Sequence, residues 1–460
     1  QIKEIINSGS LLLTNKYVHS LLTEELFHLM LQKSLIADKF LEKFLTKLRC
    51  ELLFTFDKLN IKRLKEYFNF IISFAEQCWL NEYVYIDSEK EVNKINKLKD
   101  KIESSNKIDE LEIAILSCYV PLNESQIIIK KLLNHKSTNI LFNDLIKVQI
   151  KEPLVELELK KSIKSFDKIL DPISNKVQEQ YEKQPYPRWR HTYKVFKSYL
   201  PIEINADITP NKVECNNKFK KPNILIAGCG TGSHPITSNR YKDANILGVD
   251  LSLSSLAYAK RKTEELNIKN IEYLHADILQ LRGLNRKFDI IESVGTLHHM
   301  KDPIAGLKIL LEMLEPHGFL KLGLYSETAR QEVVKIREFI KKKKIKSTNK
   351  DIKSFRQLII DEKMEQPYYI GTDFCSTSSV RDLLFHVQEH RFTIPQISKI
   401  LKDLNLEFLG FTFSGTGQKN KFSKNFPNDK KKISLDNWHQ FELDNRDIFS
   451  DMYQFWVKKV

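Results

Sequence analysis

Long apolar runs are missing from this chain: no stretch approaches the roughly 18 consecutive residues that a bilayer-spanning helix needs, and the first residues form no basic-then-apolar signal. No membrane insertion is therefore expected, and the cytoplasm is the expected compartment. Cysteine is scarce. Cys50, Cys78, Cys118, Cys215, Cys229 and Cys375 are scattered, with no Cys-x-x-Cys pair and no histidine at a metal-ligand spacing. That pattern excludes a disulfide framework and a zinc ribbon, and it predicts reduced thiols and no metal. Glycine and proline are almost absent before residue 170, and no fixed repeat period is visible, so nothing marks a regular solenoid.

What is present fits a folded globular chain. With 460 residues it exceeds the size at which one core stops growing, so two or three units are expected. A hydrophobic fraction of 42% and a charged fraction of 29% suggest neither disorder nor a fibrous repeat. The net charge of +14 would favour polyanions. The excess lysine, however, is spread along the chain among Ile and Asn, which predicts a solvated lysine-rich surface and makes nucleic acid an unlikely partner. One cluster, Lys341 to Lys344, lies in a helical stretch.

From Gln1 to about Leu170 apolar residues recur at helical spacing, as in Leu41, Phe44, Leu45 and Leu48, which predicts an all-helical domain. Asp171-Pro172 marks its end, because the residue before proline resists the helical conformation. From Asn223 short apolar runs alternate with helical stretches, the pattern of a parallel sheet built from crossover units. Strands are expected at Ile224 to Ala227, Asn245 to Val249, Ile271 to His275, Phe288 to Glu292 and Gly318 to Tyr325. Two more are expected at Leu406 to Phe413 and Met452 to Val457. The predicted fold is α/β, a Rossmann-like sheet of seven strands, with an all-helical amino-terminal domain and a helical insertion between the fifth and sixth strands. The expected layout is 1–170 helical, 171–325 cofactor domain, 326–404 helical insertion on the substrate side, and 405–460 the strands that complete the sheet.

The segment Ala227-Gly228-Cys229-Gly230-Thr231-Gly232 follows a buried strand and opens a helix. Glycine lacks the Cβ that would block close approach of the backbone to a nucleotide-like ligand. Asp250 ends the next strand about twenty residues on, where a carboxylate accepts from ribose hydroxyls, and Leu251 follows it. Asp277, followed by Ile278, ends the third strand at the sheet's carboxyl edge and can accept from an adenine amino group. After the fourth strand comes Val294-Gly295-Thr296-Leu297-His298-His299, whose Val294 and Leu297 can line the adenine and methionine cavity.

In that order these elements resemble the class I methyltransferase family across roughly residues 220 to 325. The resemblance implies S-adenosylmethionine as cofactor rather than a nicotinamide, with Gly228, Cys229, Gly230, Gly232, Asp250, Leu251, Asp277, Ile278 and Val294 in the cofactor site. The family's Asn/Asp-Pro-Pro-aromatic signature for planar amide and base amino nitrogens is replaced here by Glu292-Ser293-Val294-Gly295. No Pro-Cys nucleophile occurs there either. Amine, carboxyl, thiol and hydroxyl acceptors remain open.

Upstream, Gln180-Tyr181-Glu182-Lys183-Gln184-Pro185-Tyr186-Pro187-Arg188-Trp189 packs three aromatics and two prolines into one stretch, suited to lie over the cofactor as a lid whose aromatic faces attract a methylated cation. With Val380 to His390 and the ending Met452-Tyr453-Gln454-Phe455-Trp456, it resembles a bacterial group of methyltransferases with helical or tetratricopeptide-like amino-terminal regions. Characterised members of that group methylate lysines of an outer-membrane surface protein, outer membrane protein B. The resemblance implies a protein-lysine methyltransferase, a lysine-bearing protein substrate and a homodimer. The alternative is a small-molecule or RNA methyltransferase. His298, Tyr181 and Trp189 are the candidate catalytic residues, with His299, His386 and His390 as further imidazoles near the acceptor, since imidazole titrates near neutrality.

Overall fold

The computed structural model describes residues 12–58, 61–192, 195–213, 219–361, 372–450 and 452–460. Cys215 and the start of the expected helical domain, residues 1–11, lie outside the described residues. In chain order the strands are β1 (Lys164–Ser165), β2 (Asn223–Ala227), β3 (Asn245–Asp250), β4 (Ile271–His275), β5 (Phe288–Val294), β6 (Leu314–Tyr325), β7 (Leu406–Phe411) and β8 (Met452–Lys459). The helices used below are α1 (Lys39–Thr55), α2 (Ile61–Leu80), α3 (Pro172–Lys183), α4 (Leu200–Ile208), α5 (Ser233–Ser238), α6 (Leu253–Glu265), α7 (Pro303–Met313), α8 (Asn349–Ile360), α9 (Thr377–Phe385), α10 (Ile394–Asp403) and α11 (Leu435–Asp444).

The chain divides into two compact units. The first comprises Gln1–Glu156, Pro187–His191 and Lys343–Phe385; the second comprises Leu157–Tyr186, Thr192–Lys342 and His386–Val460. These units cross the sequential boundaries drawn at 170, 325 and 404. The stretch 326–404, taken above as one insertion, is shared between them.

The described part of the first unit is helical. α1 is capped by Asp38, whose carboxylate accepts from Leu41 N at 2.7 Å, and its Phe44, Leu45 and Leu48 at helical spacing are fully buried. α2 is apolar on several sides, with Phe70, Ile71, Phe74, Ala75 and Cys78 all buried, so it runs through the core of the unit. The segment 343–385 joins this unit through buried charge. Arg356 on α8 grips the Glu42 carboxylate of α1 with two nitrogens, one at 2.6 Å, and both side chains are nearly inaccessible. Lys353 reaches Asp87 at 2.6 Å.

The second unit holds a mixed eight-stranded sheet in the order β1-β4-β3-β2-β5-β6-β8-β7. β1 to β6 run parallel, whereas β8 is antiparallel to both β6 and β7. β2 shows why the sheet is covered on both faces. Its Ile224 and Ile226 enter a core with Tyr241, Ile246 and Trp456, while Leu225 and Ala227 enter another with Leu247, Leu307 and Leu320. The chain passes from β2 to β3 and β4 on one side and then returns past β2 to β5 on the other, so the crevice at the carboxyl ends of β2 and β5 is the switch point where open α/β sheets bind ligands.

Several expectations need correction. The sheet has an eighth member, because Lys164 and Ser165, inside the stretch read as all-helical, pair with Leu274 and His275. Within 326–404, expected to be helical, α9 stops at Phe385 and residues 386–391 form a loop. Two helices, Gly417–Asn425 and α11, stand between β7 and β8 where only strands were expected. α11 is held by Trp438 and Phe441, whose rings pack on Phe411, Phe422 and Phe449, an aromatic core that periodicity in a short polar window does not reveal. Among the described residues no helix is long and apolar enough to cross a membrane.

Candidate functional site

The turn after β2 is built by three left-handed glycines, Gly228, Gly230 and Gly232, with φ of +80°, +51° and +87°. A Cβ at Gly228 would lie 2.0 Å from Thr296 Oγ1, and one at Gly232 would lie 2.6 Å from Ala259 Cβ on α6. The turn therefore touches both the loop after β5 and the next helix, and no side chain fits between them. Its amides are used internally. Gly228 N and Cys229 N both donate to Val249 O at 2.9 Å, and Gly230 N donates to Asp250 Oδ2 at 2.8 Å. What the turn offers a ligand is close approach to bare backbone rather than free amide donors.

Asp250 also accepts from Ser252 N at 2.9 Å through Oδ1. Burial pushes its carboxyl up, and the bonds from Ser252 and Gly230 pull against that shift. Ser252, not Asp250, caps α6, accepting from Ser255 N at 3.1 Å. Asp250 is thus the strut of the glycine turn, and each oxygen keeps lone-pair capacity for a ribose hydroxyl. Leu251 offers its carbonyl to His275 Nε2 at 2.9 Å. Asp277 caps the turn that follows β4 by accepting from Leu279 N at 3.0 Å, and the Ser174 hydroxyl also bonds to it. The side chains of Cys229 and Ile278 pack into apolar cores. Leu297 likewise faces the core with Leu307, Leu322 and Phe392 instead of lining the cofactor cavity. Val294 stands at the end of β5, half-buried, where a Cβ on Gly323 would come within 2.6 Å of its Cγ1.

Behind the turn, Glu292 of β5 is fully buried and accepts from His234 Nε2 at 2.5 Å and Tyr241 Oη at 2.6 Å. Burial would raise this carboxyl, but His234 and Arg240 outweigh it and hold it well below the usual range. This bond ties α5 to β5 and so braces the turn from below.

Beyond Thr296 the chain enters a cluster of rings. His298 is buried, lies 3.8 Å from the Tyr325 ring centroid and 4.3 Å from that of His299, and its ring makes no side-chain hydrogen bond among the described residues, with the Gly323 backbone beside it. His299 stacks on His386 at 3.6 Å. His386 Nδ1 accepts from Gln388 N at 3.2 Å, so in the neutral ring Nε2–H donates to Tyr181 Oη, also at 3.2 Å. Tyr181 stacks in turn on Tyr186. Burial, with His299, Arg330 and His386 nearby, holds His298 well below the ordinary imidazole value, and burial with His299 does the same to His386. Both of these rings are neutral at physiological pH.

Two distant segments are laced together to make this cluster. His390 N donates to His298 O at 2.7 Å, and His299 Nδ1 donates to Gln388 O at 2.7 Å. The second segment is fixed by Glu389, which takes Arg330 at 2.9 Å and Arg337 at 2.8 Å. The guanidinium carbon of Arg330 lies over the Tyr325 ring, 3.7 Å from its centroid. Arg330 and Glu389 carry no motif, and only their spatial pairing marks them. Trp189 belongs to the first unit, where its neighbours Arg188 and Arg190 are anchored: Arg188 lies over Trp79 at 4.4 Å, and Arg190 reaches Glu76 at 2.5 Å.

Residues 224–318 match the family model of a methyltransferase domain. The chain resembles the class I enzymes, and the cradle described above, bare at three glycines and flanked by two carboxylates, fits their cofactor, S-adenosylmethionine. An uncharacterized protein of Synechococcus is 34% identical over 122 residues, covering 26% of this chain and 29% of that protein. Phosphoethanolamine N-methyltransferase 1 of Arabidopsis thaliana is 25% identical over 137 residues, covering 30% of this chain and 28% of that one. Among solved structures, PKMT2 from Rickettsia typhi aligns with a TM-score of 0.42 and 18% identity, covering 58% of this chain and 54% of that one. The chain spans under a third of the length of either curated relative.

Proposed function

We propose that this chain is an S-adenosylmethionine-dependent N-methyltransferase that modifies lysine side chains of a bacterial outer-membrane or surface protein before its export. The observation that carries the reading is the uncharged ring cluster around His298, joined through Thr296 to the glycine turn. When bound, the cofactor supplies an activated methyl group open to direct displacement. The protein must therefore hold a nucleophile in line and exclude water. A lysine ammonium has a pKa of about 10.4 in water and must lose its proton first. A wall of neutral rings beside Arg330 disfavours that charge, which drives the amine toward its reactive neutral form. In this reading the His298 imidazole accepts an amine N–H and Tyr181 lines the acceptor side.

The polypeptide acceptor is supported by the sequence resemblance from about residue 175 to the end. In this reading residues 1–170 supply homodimer contacts and 326–404 the substrate groove, in the cytoplasm. A second reading, methylation of a small amine, is favoured by the phosphoethanolamine N-methyltransferase relative. The two are separated by offering labelled S-adenosylmethionine with an unfolded bacterial surface protein, with RNA and with a metabolite extract, and locating the label by mass spectrometry. Methyl-lysine is the expected product. Label confined to a metabolite or to RNA overturns the lysine assignment, and no transfer to any of the three overturns the enzyme reading. His298→Ala is expected to lower turnover by about a hundredfold or more, the range of a positioned proton acceptor.

A further inference from the structure

Helix α3 precedes the methyltransferase domain yet belongs to its unit. Asp171 caps it, accepting from Ile173 N and Ser174 N at 2.9 Å, and Pro172 opens it. Three side chains spaced by four residues form one stripe along it. The Ser174 hydroxyl bonds to Asp277. Gln178 Nε2 lies 3.1 Å from His275 Nε2, at the end of β4. The Glu182 carboxylate accepts from Ser254 N at 3.1 Å and Ser254 Oγ at 2.7 Å, in the first turn of α6. An anion there also complements the positive end of that helix. The stripe thus spans the carboxyl edge of β4 and the start of α6, the two places that carry Asp277 and Asp250. One position off the stripe, Tyr181 meets His386 at 3.2 Å and so faces the ring cluster.

We propose that α3 is a wall shared by the cofactor and acceptor subsites, so that an adenosyl group seated beneath Ser174, Gln178 and Glu182 sets Tyr181 in place and the cofactor loads before the acceptor. The inference rests on the proposed methyltransferase reading. Gln178 and Glu182 act as positioning residues, since they hold α3 to the sheet edge and touch no reacting atom. Tyr181 carries that position to the acceptor side, because a helix moves as a rigid element.

The test uses the intact chain and S-adenosylhomocysteine as probe. Amide hydrogen exchange over residues 172–183 is expected to slow at least tenfold on saturation, and the fluorine resonance of 3-fluorotyrosine in place of Tyr181 is expected to shift. The double variant Gln178→Ala with Glu182→Ala is expected to bind the probe at least tenfold more weakly, with helical content unchanged. Probe binding without slowed exchange in α3, or without any fluorine shift, overturns the shared wall and leaves the methyltransferase reading standing. Failure of the native chain to bind the probe overturns both. The exchange measurement needs no variant, so a misfolded double variant does not shield the proposal.

Discussion

Both units bury charge against opposite charge, and the sheet unit adds to this a cluster of uncharged imidazoles. In the helical unit buried charge meets its opposite: Arg356 with Glu42, Arg49 with Asp87 at 2.7 Å, and Arg190 with Glu76 at 2.5 Å. In the sheet unit Arg330 meets Glu389 in the same way at 2.9 Å, but the buried imidazoles of His298 and His386 are uncharged and stacked, and His298 makes no side-chain hydrogen bond among the described residues. Charge matched by charge fixes how helices lie against one another. Polar groups left unmatched at the carboxyl edge of a sheet are kept at a cost to stability, and their return is chemistry. Changes in the first unit should therefore be felt as lost stability, and changes at the edge of the second as lost ligand or turnover.

The largest expected effect tests the first half of that contrast. Arg356→Ala leaves Glu42 buried without its partner and should cost about 3–5 kcal/mol, read as an earlier melting transition by calorimetry. A cost below about 1 kcal/mol would show that the pair is dispensable and break the comparison. Next comes Asp250→Ala, which removes the strut of the glycine turn along with a ribose acceptor. Affinity for S-adenosylhomocysteine should fall about a hundredfold by isothermal titration, while stability drops by only about 1–3 kcal/mol through the two unpaired amides. Retained affinity would remove Asp250 from the cofactor site. Gly228→Ala is smaller: its Cβ meets Thr296 at 2.0 Å and its φ is +80°, so about 1–3 kcal/mol of strain is expected, with weaker cofactor binding.

The smallest effect sets the units against each other. His298 and His386 are held below the unfolded imidazole value, so the unfolded chain binds more protons at mildly acid pH, and this contribution to stability is lost as pH falls. Glu76, pushed up to about 7 by burial against the pull of Arg190, has the opposite sign. The folded chain keeps that proton where the unfolded chain has released it, so its contribution is present at low pH and lost as pH rises through about 7. Between pH 8 and pH 5.5 the transition of the helical unit should rise and that of the sheet unit fall, by roughly a few degrees each in differential scanning calorimetry. Transitions that move together would show that burial does not set these protonation states.

Much of the sheet unit was legible because its signals are local. Ile224 to Ala227 is an unbroken buried run, the glycines that follow need left-handed backbone, Asp250 closes β3 and Asp277 follows the end of β4. Where the signal was not local, the expectation failed. Lys164–Ser165 is too short to show a period of two, and it is a strand only because β4 has an open edge to pair with. His386 to His390 fell within a stretch expected to be helical, yet His298 O and His299 Nδ1 draw that backbone into a loop. Leu297 read as a cavity wall because it is apolar and follows the fourth predicted strand, but its side chain packs in the core with Leu322 and Phe392.

The amino-acid sequence alone determined seven of the eight strands and the glycine turn after β2, because period, glycine and strand-end carboxylates act within a few residues of one another, while the class of the cofactor followed from the family resemblance. Only the tertiary structure decided that His298 stands inside a ring cluster, that Glu389 and Arg330 hold that cluster, and that Ser174, Gln178 and Glu182 lay a helix across the sheet edge. The partners in each of those contacts are separated by tens of residues or more, and chain connectivity leaves no trace of such meetings until burial and hydrogen bonding select them.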